Sequence, residues 1–220
     1  DLLYQTVNQA GGVSSSNTKL PNGLNIGAGT KVVATQKMFT QGNMLTTDNS
    51  LDLMIEGPGF FEIQLPDGTA AYTRNGQFTL DDTGQIVTPG SGYVLQPAIT
   101  IPDNATSITV SAEGEVSVKT PGTADNQVVG QLTMTDFINP SGLDPMGQNL
   151  YTETGASGTP IQGTASLDGM GAIRQGALET SNVNVTEELV NLIESQRIYE
   201  MNSKVISAVD QMLSYVTQNL

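Results

Sequence analysis

The stretch after Gly176 constrains this chain more than any other: it contains neither glycine nor proline, and Val185, Leu192, Tyr199, Ile206, Leu213 and Leu220 recur at every seventh position. A spacing of seven keeps side chains on one side of a slightly underwound helix and is the coiled-coil period. Leu189 joins this seam in the first half. Ile198, Val205, Val209, Met212 and Val216 widen it into a broad apolar face in the second, with Gln196, Ser203 and Asp210 interrupting its flank. Asn184, followed three residues later by Glu187, reads as an N-cap with its capping-box partner, and Glu187 and Glu188 suit the positive end of a helix dipole. The pattern predicts a helix from near Val185 to about Thr217, about 50 Å long at about 1.5 Å per residue.

Such a helix must pack on something. Each buried Val, Leu, Ile or Met is worth about 1.5–3 kcal/mol, and about ten of them share this face. An amphipathic helix ordinarily lies on the core of its own domain. A compact β domain covers only part of so long a helix, however, and the 220 residues offer no second long helix to complete a coiled-coil pair. The pattern therefore points to a partner elsewhere, either another chain or a helix outside these residues. The expected packing set is Val185, Leu189, Leu192, Tyr199, Ile206, Val209, Leu213 and Val216.

Residues 31–180 carry a β signal. Phe60, Phe61 and Ile63 run into Pro66-Asp67-Gly68, Tyr72–Arg74 into Asn75-Gly76, Phe78 and Leu80 into Asp82-Thr83-Gly84, and Ile86 and Val87 into Pro89-Gly90-Ser91-Gly92. Asn-Gly and Asp-Gly supply the positive φ that tight hairpins require. Gly68, Gly76, Gly84 and Gly92 stand eight residues apart, a turn spacing suited to a sandwich, barrel or meander. Glu113-Gly114, between Ile108–Val110 and Val116–Val118, predicts a further hairpin. Residues 139–171, dense in Gly, Pro, Ser and Thr, read as a long surface connection with one strand around Leu150 and Tyr151. Residues 1–30, with Gly11-Gly12, Ser14-Ser15-Ser16, Pro21-Asn22-Gly23 and Gly27-Ala28-Gly29, lack periodicity and read as an extended loop, either a linker or an arm that orders against neighbours. The fold expected is mainly β with a long C-terminal α-helix: an arm over 1–30, an antiparallel β domain over 31–180, and a coiled-coil-type helix within 181–220.

Composition removes most chemistry. There is no histidine and no cysteine, so imidazole and thiolate catalysis, disulfides and ordinary zinc sites are excluded within this chain. A net charge of −14 with eight dispersed Lys and Arg residues leaves no stripe for a phosphate backbone, so nucleic acid is not an expected partner. No stretch has the length and apolarity of a membrane span, and the N-terminus lacks the basic and apolar regions of a signal peptide. Gly57-Pro58-Gly59 and Gly27-Ala28-Gly29 do not continue into a phosphate-binding sequence and read as turns. Asp48, Asp52 and Glu56 lack the spacing of a calcium loop. Asp81-Asp82 and Glu113 with Glu115 flank turn glycines, where acidic residues are ordinary turn formers. They leave glycan cleavage or glycan binding as the rival to a structural role. No catalytic residue, cofactor or metal is assigned.

The run Thr180-Ser181-Asn182-Val183-Asn184-Val185-Thr186-Glu187-Glu188-Leu189-Val190, with Gln196-Arg197 and Tyr199-Glu200-Met201-Asn202-Ser203-Lys204, resembles the C-terminal signature of the flagellar rod and hook axial proteins. Asn49-Ser50-Leu51-Asp52-Leu53, Gly57-Pro58-Gly59-Phe60-Phe61 and Tyr72-Thr73-Arg74-Asn75-Gly76-Gln77-Phe78 resemble the β region of the same family. Asp1-Leu2-Leu3-Tyr4-Gln5-Thr6 favours the distal rod over the proximal rod and hook members. The resemblance covers essentially the whole chain. It implies a structural subunit, exported unfolded by the flagellar type III apparatus and stacked helically with copies of itself into the straight drive shaft that crosses the periplasm in the basal body. Proximal rod proteins, the hook protein and the surrounding periplasmic and outer-membrane rings would be its neighbours. It implies that the C-terminal helix lines the inner tube beside an N-terminal helix, that the β domain faces outward, and that the first thirty residues form the arm that keeps the tube straight. The chain begins at Asp1, so it reads as a fragment or processed product, without the family's asparagine-rich N-terminal helix.

Overall fold

The structure, a computed structural model, describes the backbone at 2–8, 13–15, 18–19 and 24–30, and residues 35–122, 125–167 and 169–218, with side chains described within 35–215. The chain divides into two compact units, Asp1–Met38 and Phe39–Leu220. In the first, β1 (Leu2–Asn8) pairs antiparallel with β4 (Leu24–Thr30), and between them in sequence β2 (Val13–Ser15) pairs with β3 (Thr18–Lys19). At these described residues the reading as extended loop is corrected to paired strand. The β1–β4 register slips at Leu3/Tyr4 and at Thr6/Asn8, so the two-residue alternation that marks a strand is broken in the sequence although the backbone is paired.

The second unit is built from antiparallel strands. After β5 (Met44–Thr46) and β6 (Leu53–Glu56), β7 (Phe60–Gln64) and β8 (Ala70–Thr73) form a hairpin whose turn closes through Gly68, at φ +82°. β9 (Thr79–Leu80), β10 (Ile86–Val87) and β11 (Val94–Gln96) continue as a meander with Gly84, Gly90 and Gly92 at positive φ, and β11 returns to pair with β7. β12 (Ser107–Val110), β13 (Glu115–Lys119) and β14 (Gln127–Gln131) make a three-stranded sheet, its first hairpin turning at Gly114 as expected. β15 (Thr133–Asp136) takes the remaining part of the β7 edge and carries β18 (Ile161–Thr164) on its other side, while β16 (Asp144–Gly147) and β17 (Leu150–Thr152) extend the sheet beyond β8. The described residues of the 139–171 segment thus hold three strands, where a surface connection with one was expected. The two unexpected strands, β16 and β18, are short and glycine-bearing, so they carry little local β signal.

β7 shows why the unit has two apolar clusters. Successive side chains of a strand point to opposite faces. Phe61 and Ile63 therefore enter the main core with Phe78, Leu95, Val116, Val118, Leu132 and Met134. Phe60 instead joins Tyr72, Phe137 and Leu143, flanked by Phe39 and Tyr151. Rings in this second cluster meet edge to face, with Tyr72 and Phe137 centroids 4.8 Å apart and Phe39 and Phe60 5.5 Å apart. Burial there, reinforced by Glu62 and Glu153, pushes the Tyr72 phenol up to about 12.

One expected hairpin is absent. Neither Asn75 nor Gly76 has a positive φ, and the chain passes from β8 toward β9 without doubling back. Gly76 serves a different need. Its carbonyl accepts the Leu53 amide at 2.9 Å, and a Cβ at this position would collide with the Leu53 carbonyl oxygen. The glycine permits a close backbone approach rather than a turn.

β19 (Ala172–Gln175) pairs with β6, and β20 (Ala177–Glu179) pairs with β5, leading to α1 (Val185–Gln218). The helix starts where the cap signal put it. The Asn184 side-chain oxygen accepts the Thr186 amide at 3.2 Å, and its carbonyl accepts the Glu188 amide at 3.1 Å. Among the described residues no helix is long and apolar enough to cross a membrane.

Candidate assembly surface

Every described side chain from Val185 to Tyr215 is exposed. Seven of the eight expected packing residues, Val185, Leu189, Leu192, Tyr199, Ile206, Val209 and Leu213, stand in solvent, with Tyr199 at 78% and Ile206 at 62% exposure. The side chain of Val216, the eighth, lies outside the described residues, as does Leu220. Among the described residues, Val185 to Tyr215, the helix is not laid on its own core, as the ordinary alternative would have it. Val190, Ile193, Ile198, Met201, Val205, Met212 and Tyr215 are exposed on the same helix, and apolar surface on this scale is strongly driven to find cover.

The apolar residues do not form one straight stripe. At about 100° per residue, Val185, Leu189, Leu192 and Ile193 fall within one arc of about 100° on a straight helix. By the same count Ile198, Val205, Val209 and Met212 fall within an arc of about 60° on the opposite side, with Ile206 and Leu213 between the two. Val185, Leu189, Leu192 and Ile193 thus face one direction, and Ile198, Val205, Val209 and Met212 another.

At the root of the helix, motifs far apart in sequence come together. Glu179, the last residue of β20, accepts the Gly42 amide on Oε1 at 2.8 Å and the Arg74 Nε–H on Oε2 at 3.0 Å. Arg74 Nη2 also sits 3.0 Å from Oε2 as an ion-pair contact, and the two side chains are only 16% and 12% exposed. Arg74 Nη1 donates to the carbonyls of Gly57 and Gly59, both at 3.1 Å, and the guanidinium lies 5.9 Å from the Phe60 ring centroid. Gly57 and Gly59 need φ of +117° and +128° to present those carbonyls, which is the work of the Gly-Pro-Gly sequence.

A strap over residues 39–43 completes the arrangement. Phe39 enters the aromatic cluster, and the Gln41 amide donates to the Ile55 carbonyl at 3.2 Å and accepts the Gly57 amide at 3.2 Å. On the helix side, Asn182 Nδ2 donates to the Thr40 carbonyl and hydroxyl, both at 2.9 Å, and the Thr180 amide and hydroxyl donate to the Asn43 carbonyl at 2.8 and 3.0 Å. A Cβ at Gly42 would collide with the Thr180 carbonyl oxygen, so the strap can approach only as glycine. Arg74 stands in the Tyr72–Phe78 motif with no role legible from sequence alone, and nothing local marks Glu179 or the strap. The local clue was an arginine embedded between Tyr72 and Phe78, where a lone charge needs a partner.

Of the acidic residues weighed for glycan chemistry, Asp81 has a structural use. Asp81 accepts the Thr83 amide at 2.9 Å and the Gln85 amide at 2.7 Å, and these bonds, that from Gln85 foremost, hold its carboxyl below the usual range. The Asp67 carboxyl is lowered in the same way, chiefly by the Thr69 hydroxyl at 2.6 Å. Among the described residues no group of three or more metal-ligating side chains is placed to hold an ion.

Comparison with known proteins matches two parts of the chain to family models. Residues 54–118 match the flagellar hook protein FlgE/F/G D1 domain, and residues 174–219 match the C-terminal region of the flagellar basal body rod FlgEFG proteins. The chain is 52% identical over 218 residues to the flagellar basal-body rod protein FlgG of Buchnera aphidicola subsp. Acyrthosiphon pisum, covering 99% of this chain and 84% of that protein. It is 47% identical over 222 residues to the FlgG of Borreliella burgdorferi, covering all of this chain and 83% of the relative. Identity to the flagellar basal-body rod protein FlgF of Escherichia coli is lower, 34% over 188 residues, with 83% of this chain and 73% of the relative covered.

Proposed function

This chain belongs to the flagellar basal-body rod protein FlgG family and is a structural protein rather than an enzyme, and on that premise we propose that it self-assembles helically into the straight distal rod that carries torque across the periplasm to the hook. The observation that carries this reading is the helix Val185–Gln218, exposed at every described side chain and apolar on more than one side. A helix of that kind is stable only when other helices cover it, and two apolar directions along its length call for more than one neighbour. Val185, Leu189, Leu192, Tyr199, Ile206, Val209, Leu213 and Val216 are the residues that pack between subunits in the inner wall of the tube.

The division of labour follows. Residues 31–180 form the outward-facing β domain, with the core on which its own stability rests, and residues 1–30 form an arm lying along neighbouring subunits. Residues 181–220 supply the inner helix. The neighbours are copies of the chain, the proximal rod and hook proteins at the two ends, and the periplasmic and outer-membrane rings around the shaft. The type III export apparatus delivers the unfolded subunit.

The absence of cysteine makes the reading directly testable. A photoactivatable maleimide on Ile206→Cys should, in assembled rods, yield a covalent product between two copies, with the cross-linked peptide inside the helix of the second copy. Cross-links running only to residues 39–180 of the same chain would contradict it.

A further inference from the structure

Between the last clasped residue, Asn182, and the N-cap, Asn184, stands only Val183, whose amide donates to the Ser181 hydroxyl at 3.2 Å. One residue contributes two soft dihedral angles, so whatever holds residues 179–182 also restricts the direction of the helix. The holding group is Glu179. One carboxylate oxygen takes the strap amide of Gly42, and the other takes Arg74, which is anchored on the Gly57 and Gly59 carbonyls. The strap is tied to the β domain through Phe39 and Gln41, and to the helix lead through Thr40 and Asn43. Glu179 is where the two routes meet, with neither oxygen free of a donor.

We propose that Glu179, held by Arg74, is a positioning residue: the joint that fixes the angle at which the long helix leaves the β domain. The joint is built from charge-assisted bonds of limited exposure, and a guanidinium fork engaged at Nε and Nη1 has a defined orientation that a single flexible contact would lack. Glu179→Ala removes the junction while Arg74 keeps its two carbonyl acceptors, so the turn at Gly57 and Gly59 is retained at some cost in stability from the unpaired guanidinium. The consequence for a straight rod rests on the assembly reading above. The joint itself is a property of the single chain, and testing it there leaves that reading standing or falling on its own.

The test is a distance distribution between spin labels on Thr79→Cys, in an exposed strand of the β domain, and Asn202→Cys, exposed on the helix, in an otherwise cysteine-free chain diluted with unlabelled protein. In the parent chain the distribution should be narrow. Glu179→Ala should broaden it at least twofold and speed exchange of the Thr180 amide at least tenfold in protein whose β domain is still folded at the temperature of the measurement, although its melting temperature falls because Arg74 loses its counter-charge. Arg74→Met should broaden it similarly, and Arg74→Lys should recover part of the narrowing, because an ammonium reaches the carboxylate but not both carbonyls. A parent distribution that is already broad, or a width that Glu179→Ala leaves unchanged in folded protein, overturns the proposal. If Arg74→Met fails to fold, Glu179→Ala decides alone.

Discussion

A single methyl group separates Gly76 from alanine, and there is no room for it, because the Leu53 carbonyl oxygen occupies the place a Cβ would take. The backbone must move to admit it, in a segment that also receives the Leu53 amide. Gly76→Ala should cost about 3 kcal/mol, in the range of overpacking a rigid site. Asn75→Val should cost only about 1 kcal/mol, the worth of the bond its side chain accepts from the Gln77 amide. Urea unfolding of the β domain measures both, and an equal shift of the two midpoints would contradict the assignment. At this scale the sequence was legible in part. Asn75-Gly76 announces a glycine requirement, but a positive φ and a close backbone approach demand the same residue, and only the position of Leu53 tells them apart. Gly68, Gly84 and Gly114 were read correctly because their turns are local, each glycine amide bonding to a carbonyl three residues back.

Among elements, the helix was the most legible, since its period and its cap are written within a few residues of each other. It was expected from near Val185 to about Thr217 and runs Val185–Gln218. Asn184→Ala should remove about 1 kcal/mol from its first turn. Amide exchange at Thr186 and Glu188 should accelerate several-fold, with little change in the β domain. Unaltered exchange would mean that the cap bond at 3.2 Å contributes nothing. The short strands β16 and β18 were missed for the opposite reason: their pairing is decided by strands elsewhere in the chain, and Pro145, Gly147 and Gly163 dilute what local pattern they have. The Arg74–Glu179 clasp could not be paired for the same cause: Arg74 calls for a partner, but that partner stands 105 residues away and nothing local to either names the other.

At the scale of the whole molecule, two regions answer to different requirements. The β domain buries its own core around Phe61, Ile63, Phe78 and Val116, whereas the helix buries nothing that the structure describes. The central claim is that the helix is surface kept for other copies, and Ile206→Asp tests it most directly. A carboxylate at this position would lose the burial of an isoleucine and have to be desolvated in a contact between helices, a cost of several kcal/mol per subunit contact. Rod incorporation and the melting temperature of the β domain should be measured on the same variant. Rods should fail to form while the melting temperature stays within about a degree of the parent, since an exposed substitution far from a core shifts stability little. Normal rods, or a melting temperature lowered as much as by Gly76→Ala, would contradict the account.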